Sequence, residues 1–500
     1  MRRTDWGFFV FHHRKVVAAL LLCTAMAPLS RGQASADAVA AQLRELAAQM
    51  AQLRQELTDS RKESADLQRQ VEEMRQQLQA LRGTPAGVAA STVLTPEQLT
   101  EEHELLAAKV DDQYQTKVES SSKYRVKLSG LVLFSAGLNT GEVNNLDLPS
   151  YALPRPAGDT NGALSATVRQ SILGLELDGP KLMGARTRGD IHADFFGGMP
   201  GVPDGVTTGF MRLRTARLGL DWKNTTVEVG QESPFFSPLT PSSLISTAYP
   251  ALWNAGNLWT WTPQVNVTHR FRKPDATRFI LQYGVLNALT GELPSAEYDR
   301  GPSAGERNRT PATAVRLGTE RTTSHGKASA GAGFYYARQN WGFNRRVDSW
   351  AATADWELPF HRYFTFSGEL YRGRAIGGLG GGIGRSVLTT GALNLMSTRI
   401  LPLQSGGGWA QLKFKPAQRW EFNAVYGGDF PMQGSMPKFA AVYGSEELKP
   451  RRNATGMANI MYQPRNNLIF SIEYRRLWTS PFDETQHRAN HIGIGAGIFF

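Results

Sequence analysis

The chain has 500 residues, a formal charge of +11, 50 glycines, 10% aromatic residues and a mean hydropathy of −0.33. No run of eighteen or more apolar residues occurs, which excludes a helical membrane protein. A β-barrel remains compatible with the low mean hydropathy, because its polar inward residues dilute its apolar outward ones. The basic surplus is spread singly and not in clusters, which argues against nucleic acid as a partner.

The N-terminal segment has the features of a secretory signal. Basic residues precede an apolar run over residues 16–27, and a small-residue site ends at Ala36. We therefore predict that residues 1–36 are a signal peptide cleaved near Ala36. The only cysteine, Cys23, lies inside that segment, so the exported chain is expected to have no disulfide, metal–thiolate site or cysteine nucleophile.

Residues 37–82 show a heptad pattern. Apolar residues recur with spacings of four and three, interrupted by two serines on the same seam: Val39, Leu43, Leu46, Met50, Leu53, Leu57, Leu67, Val71, Met74, Leu78 and Leu81. This pattern predicts an α-helical coiled coil that self-associates, because one helix cannot bury such a seam alone. Dimers and trimers both fit the seam. Residues 83–122 are predicted to be a linker followed by a short periplasmic helix that opens at Thr95-Pro96.

From residue 123 to residue 500 the apolar period changes to two. About sixteen segments alternate in this way, including 164–178, 408–415 and the last strand, 490–500. Long and short connections take turns between them. These features predict an all-β transmembrane antiparallel β-barrel of about sixteen strands, which is wide enough for an aqueous channel.

Charged residues fall on the inward parity of the predicted strands. One strand alternates five of them with small or apolar residues, and other strands add basic residues at the same parity. The candidate channel-lining and anion-binding residues are Arg186, Arg188, Asp190, His192, Asp194, Arg217, Asp221, Arg125, Lys127, Arg270, Arg316, Lys413 and Arg475. Cations in a narrow bore raise the local concentration of anions. The alternative is that these charges pair with acidic neighbours and only solvate the wall.

Two further segments stand out. The connection 233–257 is long and rich in apolar residues, which would be costly on an exposed tip. It is therefore expected to fold into the lumen as a constriction loop, with Phe235, Phe236, Tyr249 and Trp253 as its candidate lining residues. The glycine run Gly377–Gly384 lacks the Lys-Ser/Thr of a phosphate-binding loop, and it is expected to be a mobile external loop.

No pattern of catalytic residues emerges from the sequence. His487 and His491 are four residues apart but fall at a strand, where that spacing does not build a helical metal site. We therefore predict neither an enzyme nor a metal or cofactor site.

Several features together resemble trimeric outer-membrane porins with periplasmic coiled coils. They are the signal, the heptads, the first strand Y-R-V-K-L-S-G at Tyr124–Gly130, and a last strand that ends on Phe500. The chain resembles the DcaP-like family and, more distantly, the phosphate-selective porins. The resemblance implies a homotrimer in the outer membrane, in contact with its lipid, that passes small anions such as dicarboxylates or phosphate.

The sequence thus predicts a porin for passive diffusion of small, preferentially anionic solutes. Two alternatives remain open. One is a weakly selective general porin. The other is a structural tether, in which the coiled coil binds the cell wall and the barrel is only an anchor.

Overall fold

The computed structural model describes residues 125–199, 209–272, 277–292, 300–432, 452–481 and 485–500. The predicted signal peptide, coiled coil and linker all lie outside these residues and remain predictions. In the part of the chain that is described, no helix is both long and apolar enough to cross a membrane.

The described residues form one closed antiparallel barrel of sixteen strands, counting the two segments of β2 as one strand. This confirms the predicted fold class. The strands are β1 (Arg125–Thr140), β2 (Ala163–Thr167 and Ile172–Leu182), β3 (Ala185–Asp194), β4 (Arg212–Asp221), β5 (Thr225–Glu232), β6 (Thr262–Arg272), β7 (Thr277–Leu286), β8 (Ala312–Thr323), β9 (Gly326–Asn340), β10 (Arg346–His361), β11 (Phe364–Arg374), β12 (Gln404–Ala417), β13 (Trp420–Pro431), β14 (Arg452–Arg465), β15 (Leu468–Ser480) and β16 (His487–Phe499).

Closure occurs where the chain begins and ends. β1 pairs with β2 on one side and with β16 on the other, from Leu131 opposite Phe499 to Thr140 opposite Asn490. Each of the other strands pairs with its neighbours in sequence. Connections of two to four residues lie at the end of the barrel where β1 starts, and longer connections lie at the opposite end. The alternation in connection length is therefore confirmed.

The period of two places different chemistry on the two faces of each strand. On β15, Ile472 and Tyr474 point outward and are 60% and 42% exposed, whereas Glu473 and Arg475 point inward and are buried. Successive side chains of a strand point to opposite faces, so a sequence that alternates apolar and polar residues gives an apolar outside and a polar inside. The outside of the barrel is accordingly an apolar band, bordered on the side of the long connections by exposed charges such as Arg338 and Asp348.

The inward face of β16 is almost bare, because Gly493, Gly495 and Gly497 occupy it. The connection between β5 and β6 fills this space with Leu244 and Ile245. A Cβ atom added at Gly493 would lie 2.3 Å from Cδ1 of Ile245, and one at Gly495 would lie 2.8 Å from its Cγ2. The glycines therefore form a seat for an inward-folded segment, which completes the packed interior.

Replacing Gly493 with leucine should destabilise the barrel. The new side chain would overlap Ile245, and overpacking of this kind costs about 1–3 kcal/mol. We expect a lower midpoint in urea unfolding of the protein inserted in lipid vesicles.

The matched control is Gly456→Leu, because Gly456 points outward and its nearest neighbour is the Trp478 ring at 3.3 Å. Its side chain has open space to turn into, so its midpoint should stay near that of the wild type. Equal effects of the two substitutions would contradict the role assigned to the glycine seat.

Candidate functional site

The connection between β5 and β6, residues 233–261, lies inside the barrel and is called the constriction loop here. Its serines and backbone amides bond to inward-facing groups of the wall. The Oγ of Ser237 and the backbone N–H of Leu239 both donate to the Glu369 carboxylate at 2.7 Å. The Oγ of Ser243 donates to the Glu473 carboxylate at 2.6 Å. The loop is therefore bonded to strands well separated around the barrel, which fixes its path across the lumen.

Gln170 holds the middle of the constriction loop, at residues 245–248. The wall is interrupted between the two segments of β2, and there the Gln170 side chain turns inward and is fully buried. Its Nε2 donates to the carbonyl of Ile245 at 2.9 Å, and its Oε1 accepts from the backbone N–H groups of Thr247 and Ala248 at 3.2 Å each. One amide side chain thus satisfies three backbone groups of the loop. The sequence reasoning missed this residue, because the interruption has no parity signal.

The four aromatic residues proposed for the constriction lie in two different places. Phe235 and Phe236 are buried against the wall, where Phe236 stacks on Tyr335 with ring centroids 5.4 Å apart. They anchor the start of the loop and do not face open space. Tyr249 and Trp253 are half-buried and stack on each other with centroids 4.5 Å apart.

The charged residues predicted on β3 face the lumen, and Arg188, Asp190 and Asp194 are joined to neighbouring strands by ion pairs. Arg188 pairs with Asp221 at 2.8 Å and with Glu228 at 2.6 Å. The Arg188 and Asp221 side chains are 36% and 32% exposed. Partial exposure of a charged cluster on the inner wall indicates that water reaches this side of the lumen.

A second network lies beside the first. The Arg217 guanidinium donates to Asp190 at 3.0 Å and pairs with Glu232 at 3.0 Å. His192 lies 3.5 Å from Asp190 and 3.2 Å from the Thr215 hydroxyl. The two networks together contain two arginines and four carboxylates, so both of these predicted arginines are neutralised.

Two arginines that the sequence reasoning missed complete this wall. Arg212 and Arg214 pair with Asp194 at 2.7 Å and 3.0 Å. Arg212 also donates to the carbonyl of Ala248 in the constriction loop at 2.8 Å, and both guanidinium groups lie within 5 Å of the Trp261 ring centroid. In a regular strand Arg212 and Arg214 would point outward, because Arg217 on the same strand points inward. The pairing of β3 with β4 shifts by one residue between His192 and Ala193, and this irregularity turns both arginines inward.

The remaining predicted cations divide into paired and unpaired groups. Arg316 pairs with Asp355, Arg475 with Glu473, and Lys413 with Glu421 at 3.5 Å. In contrast, Lys127, Arg186 and Arg270 have no carboxylate partner among the described residues. The Arg125 side chain lies outside the described part of the structure.

The glycine run is not an external loop, so that prediction was wrong. Ile376 and Leu379 are buried in one apolar cluster with Phe235 and Leu258, so the run packs onto the constriction loop from the side of the long connections. The backbone N–H of Ile383 also donates to the inward carboxylate of Asp429 at 3.2 Å. Sequence reasoning missed this packing because the run itself has few apolar residues.

A buried carboxylate joins two of the long connections above this packing. Oε1 of Glu292 accepts from the backbone N–H groups of Ser386 and Val387 at 2.8 Å and 3.1 Å. Burial raises the pKa of Glu292 above its ordinary value, and the two backbone donors oppose that rise.

No protein-family model and no curated protein sequence matches this chain. Among solved structures it is similar to the outer membrane channel DcaP of Acinetobacter baumannii, with a TM-score of 0.57 and 18% identity over 77% of this chain and 100% of that one. Matches to an anion-selective porin from Comamonas acidovorans (TM-score 0.46, 11% identity, 76% of this chain and 100% of that one) and to OprB of Pseudomonas putida (0.46, 12%, 83% and 100%) are weaker. The likeness to the first structure shows a shared barrel fold.

Replacing Gln170 with alanine should loosen the middle of the constriction loop. The amides of Thr247 and Ala248 would lose their acceptor, and each lost hydrogen bond is worth about 1 kcal/mol. We expect hydrogen exchange of the peptide containing these amides to be about five- to tenfold faster by mass spectrometry.

Gln463→Ala is the control, because the Gln463 side chain donates to the carbonyl of Asn466 at a short turn and has no bond to the constriction loop among the described residues. Its loop amides should exchange at the wild-type rate. Unchanged hydrogen exchange of these amides in Gln170→Ala would show that Gln170 does not hold the loop.

Proposed function

We propose that this protein forms a water-filled pore in the bacterial outer membrane, through which small polar solutes diffuse passively. The observation that carries the proposal is a closed sixteen-strand barrel with an apolar outer surface and a charged, partly exposed inner wall. The likeness in fold to a solved outer membrane channel supports it.

The energetics of charge support a wet interior. Transfer of an ion into a dry apolar environment costs several kcal/mol even after relaxation, unless the ion is paired and hydrogen-bonded. Lys127, Arg186 and Arg270 lack such a pair among the described residues, so they require water. The apolar residues on the other face require the opposite medium, since Leu218 and Ile472 are 69% and 60% exposed. A barrel that separates lipid from water satisfies both requirements.

The three unpaired cations also support the proposed preference for small anions. Since most of the predicted arginines of the wall are neutralised by carboxylates, the proposed preference rests on cations without a carboxylate partner among the described residues, such as Lys127, Arg186 and Arg270. The same ion pairs favour the second candidate, a weakly selective pore, because a paired charge has a weak field at a distance. Measurement of selectivity decides between the two.

We also propose that the protein is a homotrimer, with the N-terminal coiled coil as the associating element. The outer surface supports this. Among the described strand residues, the outward Tyr and Trp lie on β7, β9, β10 and β13–β15, whereas β16 and β1–β6 have none and only Trp222 follows directly after β4. Tyr and Trp mark the boundary of lipid with water on membrane barrels. An outer sector that is poor in them is therefore suited to contact another copy of the chain.

Removal of the unpaired cations should reduce any anion preference. A unit charge about 10 Å from an ion in water changes its energy by about 0.4 kcal/mol, which is about twofold in local concentration. Each cation thus doubles the local concentration of anions and halves that of cations, so Lys127→Ala/Arg186→Ala should lower the anion-to-cation permeability ratio about sixteenfold, as measured by reversal potential in a planar bilayer under a KCl gradient.

The control is Arg316→Gln/Asp355→Asn, which removes an ion pair and leaves the net charge of the lumen unchanged. The unpaired cations stay in place, so the ratio should remain near that of the wild type. A wild-type pore that prefers cations would refute the anion preference. An unchanged permeability ratio in Lys127→Ala/Arg186→Ala would show that these two residues do not determine the preference.

Photocrosslinking should locate the contact between copies. A photoreactive amino acid in place of Leu218 on β4 should give dimers and trimers of the chain on illumination in the membrane, because this position lies in the sector poor in Tyr and Trp. The same replacement at Ile472 on β15 should give monomers, because that position faces lipid. The opposite pattern, or monomers from both, would contradict the proposed interface.

A further inference from the structure

A chamber of about 580 Å³ lies within the lumen, against the constriction loop. Pro238 and Leu239 of the loop form one side of it, and inward residues of β6–β11 form the rest. Its lining includes His325 and Gly326 at the turn between β8 and β9, so it lies toward the end of the barrel with the short turns.

The charged residues that line the chamber are balanced in number and mostly paired. They are three cations, Arg270, Arg316 and Lys327, and three carboxylates, Glu320, Asp355 and Glu357. Arg316 donates to both oxygens of Asp355 at 2.9 Å and 2.6 Å, and these side chains are 9% and 2% exposed. Lys327 pairs with Glu320 at 2.7 Å. Two pairs are therefore neutralised within the wall.

One cation and one carboxylate remain. Arg270 donates to the hydroxyl of Thr226 at 2.9 Å and has no carboxylate partner among the described residues. Glu357 has no hydrogen-bond or ion-pair partner in the described part of the chain, and both side chains are half-buried. The chamber thus presents one positive and one negative group that have no charged partner among the described residues.

The strand register places these two groups on opposite parts of the chamber wall. Residues that lie opposite one another on neighbouring strands lead from Arg270 on β6 across β7, β8 and β9 to Asp355 on β10. Glu357 lies two residues further along β10. Four strand spacings span about 19 Å around the wall. Since the wall is concave and both side chains point inward, the gap between the charged groups is shorter than this arc.

Resting on the pore function proposed above, we infer that this chamber binds small zwitterionic solutes that have a carboxylate at one end and an ammonium group at the other. The solute carboxylate faces the Arg270 guanidinium, and its ammonium group faces the Glu357 carboxylate. A unit charge about 5 Å away in water changes the local concentration of an ion about fourfold. A zwitterion gains from both groups, whereas a simple anion gains from Arg270 and loses against Glu357.

The test uses the full-length protein in planar bilayers, with block of the KCl current as the readout. The probes are 4-aminobutyrate and 6-aminohexanoate as zwitterions, butyrate as the anion and butylammonium as the cation. At least one zwitterion should reach half-block at a concentration about fourfold lower than either singly charged probe. The inference is wrong if neither zwitterion blocks better than both of them.

Three variants assign the effect to the proposed groups. Glu357→Gln should abolish the advantage of the zwitterion over butyrate, and Arg270→Gln should abolish its advantage over butylammonium. Glu320→Gln is the matched control, because it changes the charge of the same chamber equally but removes a carboxylate that is already paired with Lys327. The zwitterion should keep its advantage over butyrate there, and loss of that advantage would overturn the assignment to Glu357.

The outcomes separate this inference from the pore function. A protein that conducts KCl but does not distinguish the probes keeps the pore function and loses the chamber. A correctly folded barrel that conducts no ion at all contradicts the pore function itself. Folding of each variant is checked by the heat-dependent shift in electrophoretic mobility of the barrel, and the two independent substitutions, Glu357→Gln and Arg270→Gln, keep the test decisive if one fails to fold.

Discussion

The pairing of β1 with β16 is the interaction on which the whole structure depends. A strand edge left open in lipid would expose backbone N–H and C=O groups to a medium that cannot bond to them, so a sheet in this medium has to close. The register from Leu131 opposite Phe499 to Thr140 opposite Asn490 provides this closure. Closure also separates an inner from an outer surface, and the polar side chains of the lumen lie on the inner one.

The sequence allowed the barrel to be predicted, because one periodicity decides both strand identity and side-chain direction. Arg188, Arg217 and Arg316 all face inward as their parity required. The prediction failed where the period is broken. The register shift at His192 and Ala193 turned Arg212 and Arg214 inward, and the interruption of β2 placed Gln170 against the constriction loop. Local irregularities of this kind have no signature in an alternating pattern.

Ion pairing was the other feature that sequence alone did not provide. Arg188 finds its partners on β4 and β5, and Arg316 finds Asp355 two strands away. Which cation meets which carboxylate depends on the register between strands, and a single sequence does not fix that register. The number of basic residues therefore overestimates the positive field of the lumen. The proposed selectivity therefore depends on the few cations that have no carboxylate partner among the described residues, and not on all the predicted cations.

The glycine seat on β16 has a consequence for the order of assembly. Leu244 and Ile245 rest on a surface built from the last strand and, through Leu131 and Leu133, from the first. That surface exists only when the two ends of the barrel sequence have met. Seating of the constriction loop is therefore coupled to completion of the wall, because a barrel whose seam has not formed lacks one of the surfaces that hold this loop.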